Sequence, residues 1–376
     1  MKFCGIICEF NPLHNGHQYL IKQAKEKTNL PIVCVMSGNF TQRAEKAILN
    51  KHIRAKHAIE AGADIVIELP TIFATSNAET FARGAIQILN SLGCVENLFF
   101  GSECGNIEIL QNVANFFENN AKKLNVLTKQ AINTGKSYPA AIEQATKTLC
   151  NELNIQDISS VLKTPNNLLA VEYLKQLSKQ KSKIKPLTIK RQGEDYKSQN
   201  FSCLASASKI REEIFANNAQ SIKQSVPPFV FKDINSASNS DFVQKLQLTN
   251  IKTKTKKQLK LYFEIDDSLC GRLKKFENST TYNELIENTK TKRFTHNKIR
   301  RAVLNVTLNV TKKVFKLAQK VKPYANILAI KNKNNLKFLN HKNISIIYSA
   351  RDLKLLSKRQ NKVFAIDKTA NLLYEI

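Results

Sequence analysis

No stretch of about eighteen consecutive uncharged apolar residues occurs in this 376-residue chain, so no membrane-spanning helix of ordinary length is expected. The N-terminus lacks the basic-then-apolar layout of a secretory signal, and a cytosolic protein is expected. No Cys-x-x-Cys pair is present. The eight cysteines (Cys4, Cys8, Cys34, Cys94, Cys104, Cys150, Cys203 and Cys270) are scattered, several inside apolar runs. Reduced core thiols are therefore expected, rather than a disulfide framework or a zinc site. The sequence has no internal repeat and no acidic cluster that announces a metal site. Acidic residues are scarce: 30 Asp and Glu stand against 58 Lys and Arg, for a formal net charge of +28.

That charge is uneven. Residues 251–376 carry 29 Lys and Arg against 9 Asp and Glu, net +20, while the first 250 residues carry only +8. A basic field of this size attracts polyanions through counterion release, and nucleic acid is the commonest polyanion in a cytosol. The plainer alternative is a lysine-rich surface with no partner. The length suits one large domain and a smaller one, and 42% hydrophobic residues suffice for two cores.

The first half alternates two periodicities. Segments 2–10, 31–37, 63–69 and 95–101 are short, apolar and partly β-branched, as strands buried on both faces of a parallel sheet must be. Amphipathic helical stretches lie between them at 16–27, 49–61 and 78–92, and "LTIKRQG" reads as a fifth strand. The spacing predicts an α/β fold, a doubly wound parallel sheet, whose ligands bind in the strand-to-helix loops at the carboxyl edge. The alternation stops near 216–231, where Pro227 and Pro228 break the chain. A catalytic domain over 1–222 and a mainly helical basic region over 223–376 are expected.

The first strand-to-helix loop holds "FNPLHNGH". Gly16 lets backbone approach a ligand, and the helix starting near His17 offers N–H groups and a dipole that favour an anion such as phosphate. His14 and His17 can donate to phosphoryl oxygens and stabilise charge that builds during transfer at an α-phosphate. Asn11 and Pro12 suit the tight turn out of the strand. Gly101, ending the fourth strand, either clears space for a nucleotide or makes a turn. Asn166 follows Pro165 and either caps a helix or meets the ligand. Arg191 offers a planar fork for phosphate or a stacking face for a base. Gln42 and Arg43 in "SGNFTQR" lie at the sheet's binding edge, and Ser206 or Ser208 in "ASASKIREEI" can simply cap a helix. In "TKRFTHNKIRR", Lys292, Arg293, Lys298, Arg300 and Arg301 surround Phe294, as an RNA surface with charge for phosphates and a stacking face for a base would. A helix with one solvated basic face reads the same way.

"FNPLHNGH" resembles the HxGH signature of the nucleotidylyltransferase superfamily. More narrowly, "CEFNPLHNGH", "VMSGNFTQRAEKAI", "GADIVIELP", "ETFARGAIQIL", "LFFGSE", "TPNNLLAVEYL", "IKPLTIKRQG" and "SASKIR", in this order, resemble the bacterial tRNA(Met) cytidine acetate ligase family. "KTKRFTHNKIRR" and the tail from "PYANILAIKNK" extend the likeness over nearly the whole chain. Two stretches depart from the family pattern: Ala44-Glu45-Lys46 stands where a Gly-Glu-Pro run is usual, and Tyr196-Lys197-Ser198 stands where Tyr-His-Asp is usual.

The resemblance implies an enzyme that uses ATP and acetate to make acetyl-adenylate. The acetyl group would then pass to N4 of the wobble cytidine of elongator tRNA(Met), giving N4-acetylcytidine. It implies His14 and His17 as catalytic residues, and an ATP site drawn from Ile7, Asn11, Pro12, Gly16, Gly101, Asn166, Arg191, Ser208 and Lys209. Magnesium on the triphosphate is expected on chemical grounds. Elongator tRNA(Met) and acetate are the expected partners, with no membrane and no obligate protein partner. Two rivals remain open. A small-molecule nucleotidylyltransferase of cofactor biosynthesis leaves the basic last third unexplained. A non-catalytic tRNA-binding protein leaves the intact His14, Gly16 and His17 unexplained.

Overall fold

The computed structural model describes residues 1–136, 138–191, 205–234 and 241–376. Seven strands form one sheet: β1 (Phe3–Cys8), β2 (Ile32–Ser37), β3 (Ile65–Leu69), β4 (Val95–Ser102), β5 (Lys185–Lys190), β6 (Tyr324–Ile330) and β7 (Ser345–Ile347). Their order is β5-β4-β1-β2-β3-β6-β7. The first five run parallel, with Ile6 opposite Cys34, Cys34 opposite Val66 and Gly101 opposite Ile189. All five expected strands are present, within two residues at each end for the first four.

Burial on both faces explains their composition. Along β2, Val33 and Val35 point into one core while Cys34 and Met36 point into the other, and all four are fully buried. Each such aliphatic side chain contributes about 1.5–3 kcal/mol on leaving water. Helices α1 (Asn15–Thr28) and α2 (Lys51–Glu60) cover one face through Ile21, Ala24, Ala55 and Ala58. After the short α3 (Thr71–Ala74), helix α4 (Ala78–Leu92) covers the other through Phe81, Ala85, Ile88 and Leu89. The described cysteines are all free, and all but the half-buried Cys104 are buried; Cys203 lies outside the described residues. Burial pushes the Cys4 thiol up to about 12, which makes it an inert core group. Among the described residues, no helix is long and apolar enough to cross a membrane.

The chain beyond residue 223 does more than add helices. Residues 242–307 gather Ile251, Leu259, Leu269, Leu285, Ile299 and Val303 into a separate helical core. The chain then returns to the sheet, where β6 pairs antiparallel with β3 and β7 follows parallel to β6. The sequence reading did not include these two strands. "YANILAI" has no flanking strand–helix alternation to mark it, and a short apolar run in a helical context cannot be assigned by periodicity alone.

A buried carboxylate fastens this return. Asp367, on the last helix Lys358–Glu375, accepts from the Thr71 N–H of α3 at 2.7 Å and from the Tyr324 hydroxyl of β6 at 2.5 Å. Burial, helped by the nearby Glu68 charge, raises the Asp367 carboxyl from 3.8 to about 6. Replacing it by alanine orphans two buried donors. Asp367→Ala is expected to lower the free energy of unfolding by about 2–5 kcal/mol in urea, and Tyr324→Phe by about 1–2 kcal/mol. Because the folded pKa lies above the unfolded one, protonation of Asp367 adds stability as pH falls from about 6 towards 3.8. Asp367→Asn should lose that increment, and identical pH slopes for wild type and this variant would contradict the assignment.

Candidate active site

The turn out of β1 delivers the two histidines to the start of α1, where each caps the helix. His14, in extended backbone at the N-cap, accepts the Gly16 N–H on Nδ1 at 3.1 Å, and His17 Nδ1 accepts the His14 N–H at 3.4 Å. This is a capping box in which imidazole replaces the usual hydroxyl and carboxylate. The rings stack 3.6 Å apart at 25°, and Phe10 meets His17 edge-on. An Nδ1 that accepts is unprotonated, so each neutral ring carries its proton on Nε2. Burial and the nearby Arg191 charge lower His14 to about 3, and burial, His14 and Arg191 hold His17 well below the usual imidazole range. The pair is thus two neutral Nε2–H donors fixed by backbone.

Asn11 and Pro12 shape the turn, and both are buried. Asn11 Oδ1 accepts the Ile48 N–H at 2.9 Å, while its carbonyl accepts from Arg211 at 2.9 Å. Ile7 lies half-buried in β1 opposite Val35. Across the sheet edge, Arg191 extends the β5 ladder by donating its N–H to Ser102 at 2.8 Å. A Cβ on Gly101 would sit 3.0 Å from Arg191 Cγ. The glycine therefore gives passage to the arginine stem, a use of the space that the sequence reading did not consider. Asn166 opens helix Pro165–Lys179, with its amide donating to Glu103 at 2.6 Å, while Glu103 also accepts the Asn167 N–H at 2.7 Å. Burial would raise the Glu103 carboxyl, yet these bonds hold it below the usual range. Glu103 was not among the expected residues.

Helix Ala207–Phe215 is capped by Ser206, whose hydroxyl accepts the Lys209 N–H at 3.2 Å. Ser208 faces the site, and its hydroxyl accepts from both Arg43 and Arg211, each at 3.2 Å. Lys209 turns instead towards Glu213, 3.0 Å away, on the same helix. Helical spacing puts residues 208 and 211 on one face and carries 209 away from it, so the cation on the Ser208 face is Arg211.

Below the turn lies Arg54 of α2, with no exposed surface. Its guanidinium donates to the carbonyls of Leu49 at 2.9 Å, Glu9 at 2.6 Å and Ser37 at 3.1 Å, and also to Gly38. Glu9 accepts the Gln42 N–H at 2.7 Å and the Ser37 hydroxyl at 3.2 Å, and burial pushes its carboxyl above the ordinary range. In the loop they support, Ala44 stands at φ 60, a left-handed position that favours glycine. In this stretch, which departs from Gly-Glu-Pro, alanine takes up the left-handed position and Lys46 lies 4.6 Å over the Tyr374 ring. Residues Tyr196, Lys197 and Ser198 fall outside the described residues.

On helix His296–Thr307 and its approach, the basic residues divide. Lys292 and Arg293 are exposed, and Lys298 is half-buried. Arg301 is held 3.0 Å from the half-buried Glu264, and Arg300 lies 2.5 Å from Glu45 of the 41–46 loop. Both are expected to face RNA, and each also meets a carboxylate of the chain itself. Phe294, expected as a stacking face, is 2% exposed and belongs to the helical core, with Arg293 and Lys298 packed over its ring. Among the described residues, no group of three or more His, Cys, Asp or Glu is gathered to hold a metal.

The histidine assignment is open to direct observation by nitrogen-resolved NMR. Both rings should stay neutral, with the proton on Nε2, from pH 8 to about pH 5. Since the unfolded chain protonates them near 6.5, stability should fall as pH drops below that value. Titration of either folded ring near 6.5 would refute the description.

A model of the HIGH Nucleotidyl Transferase family matches residues 1–376. A tRNA(Met) cytidine acetate ligase of Clostridium perfringens is 37% identical over 342 residues, covering 89% of this chain and 85% of that protein. Its counterpart in Acetivibrio thermocellus is 37% identical over 351 residues, covering 89% and 84%. The crystal structure of Thermotoga maritima TmcAL bound with alpha-thio ATP superposes with a TM-score of 0.90 at 27% identity, covering 100% of this chain and 94% of that one. With its sheet, its paired histidines and these relatives, the chain belongs to the tRNA(Met) cytidine acetate ligase family, within the HIGH nucleotidyl transferases.

Proposed function

We propose that this protein activates acetate with ATP and transfers the acetyl group to N4 of the wobble cytidine of elongator tRNA(Met). The observation that carries this reading is the backbone-fixed pair of neutral Nε2–H donors at the end of β1. In the first step an acetate oxygen forms a bond to the α-phosphorus. The bond from that phosphorus to the bridging oxygen breaks, and pyrophosphate leaves with the electron pair. His14 and His17 hold the α-phosphoryl oxygens as charge accumulates on them, and Arg191 supplies permanent positive charge beside the rings. In the second step the cytidine amine attacks the acetyl carbon, AMP leaves and the amine loses a proton.

The ATP site draws on Ile7, Asn11, Pro12, Gly16, Gly101, Asn166, Arg191 and Ser208; the ion pair of Lys209 with Glu213 weighs against Lys209. The crystal structure of a relative with alpha-thio ATP supports nucleotide binding here. Magnesium would enter on the triphosphate oxygens, neutralising charge on the leaving group. Residues 1–222 carry activation, with the sheet completed by β6 and β7, and the basic region within 223–376 receives the tRNA in the cytosol. Lys292, Arg293 and Lys298 are its contact residues; Arg300 and Arg301 serve it by holding the helix in place.

The test is mass spectrometry of nucleosides from elongator tRNA(Met) incubated with protein, ATP and isotopically labelled acetate. Labelled N4-acetylcytidine is expected, and pyrophosphate release without it would send the assignment to a small-molecule transferase. His17→Ala should reduce activation at least about a hundredfold, with RNA affinity unchanged. Lys292→Ala with Arg293→Ala should weaken tRNA binding and reduce its salt slope by about one per charge removed. Equal losses of activation and RNA affinity in both variants would contradict the division of labour.

A further inference from the structure

Arg43 and Arg211 come from different parts of the chain, the loop after β2 and helix Ala207–Phe215. Both aim a terminal nitrogen at the same uncharged atom, Ser208 Oγ, at 3.2 Å each. Two guanidiniums brought within two hydrogen-bond lengths of each other repel, and a hydroxyl offers no charge to offset that. Among the described residues neither makes an ion pair with a carboxylate. Two acids whose charges reach Arg211 also have other partners: Glu45 pairs with Arg300, and Glu9 accepts from Gln42 and Ser37. Burial lowers the Arg211 pKa and the adjacent Arg43 charge adds to this, while the charges of Glu45, the strongest of the neighbouring charges, Glu9 and Glu212 act in the other direction.

The location is equally specific. Arg211 also donates to the Asn11 carbonyl, so this pair of cations is tied to the turn that carries His14 and His17. Arg43 is exposed and can swing onto a ligand, whereas Arg211 is held. We propose that Arg43 is a catalytic residue of the activation step, forming with Arg211 a two-guanidinium seat around Ser208 that receives the departing pyrophosphate. The inference rests on the acetate-activation reading. Planar forks match phosphoryl oxygens in bidentate geometry, and two of them call for a multiply charged ligand. Acetate, with one charge, cannot balance both. The leaving pyrophosphate gains negative charge as the bond to the α-phosphorus breaks, so cations at that end stabilise the transition state more than bound ATP.

The experiment is acetate-dependent exchange of labelled pyrophosphate into ATP by the full-length protein, run beside a tRNA-binding assay. Arg43→Ala should raise the KM for pyrophosphate by about tenfold or more and lower the activation rate, with the KM for acetate within about twofold and tRNA affinity unchanged. Arg43→Lys, which keeps the charge and loses the fork, should recover part of the rate. A rise in the KM for acetate alone would reassign Arg43 to the carboxylate, and a loss of tRNA affinity alone would reassign it to RNA. Either result overturns the proposal, as does an Arg43→Ala variant that exchanges normally. A wild-type protein without acetate-dependent exchange would instead overturn the activation reading, and this inference with it.

Discussion

The two loops that make the site are both fastened to one buried guanidinium. Placing Arg54 out of water carries a desolvation penalty of several kcal/mol unless its donors are satisfied. Four carbonyls from Glu9, Ser37, Gly38 and Leu49 do so, and the charges of Glu9 and Glu68 lie near enough to favour the charged form. Because those carbonyls follow β1, follow β2 and precede α2, neither binding-edge loop can move without stranding a charge. Gly38 belongs to the same constraint. A Cβ there would lie 2.3 Å from Glu68 Oε1, which would displace a carboxylate bonded to Lys51 at 2.7 Å and to Asn326 at 2.6 Å. The catalytic edge is thereby set before any ligand arrives, as electrostatic preorganisation requires.

On that foundation the site separates two kinds of donor. Permanent charge comes from the guanidiniums of Arg191, Arg211 and Arg43. The histidines supply neutral, directional N–H groups, kept neutral by burial and by Arg191 itself. A protonated pair would place two more cations beside that arginine, whereas neutral rings can stack on one another and retain the Nδ1 lone pairs that cap α1. The same burial that disfavours imidazolium therefore maintains both the helix start and the donor geometry.

The rest of the chain closes around this edge. The 41–46 loop meets helix His296–Thr307 through Glu45 and Arg300, and the last helix through Lys46 and Tyr374. Strand β6 covers the open edge of β3, and Asp367 joins the last helix to both α3 and β6. A basic helical region that looks separable along the chain thus sits between two segments that share the catalytic sheet and touch its loops.

Much of this was readable without coordinates. The strands β1 to β4 and helices α1, α2 and α4 follow from β-branched runs and helical apolar spacing, which are local patterns, and the histidine pair at a strand-to-helix junction is local as well. Four kinds of fact needed the tertiary structure. Arg54 in "KHIRAKH" looks like one more surface cation, and only folding surrounds it with carbonyls. Asn166 meets Glu103, Arg211 rather than Lys209 faces the site, and Arg301 pairs with Glu264, each because of a partner or helix face that composition does not reveal. Phe294 is equally apolar on a surface or in a core, and only packing decides which. Short-range order is dictated by the periodicity of the chain, whereas the partner of a polar side chain is set by residues dozens or hundreds of positions away. Here the sequence by itself determined the sheet and the position of the paired histidines, and the tertiary structure decided which charged side chains are engaged by partners within the chain.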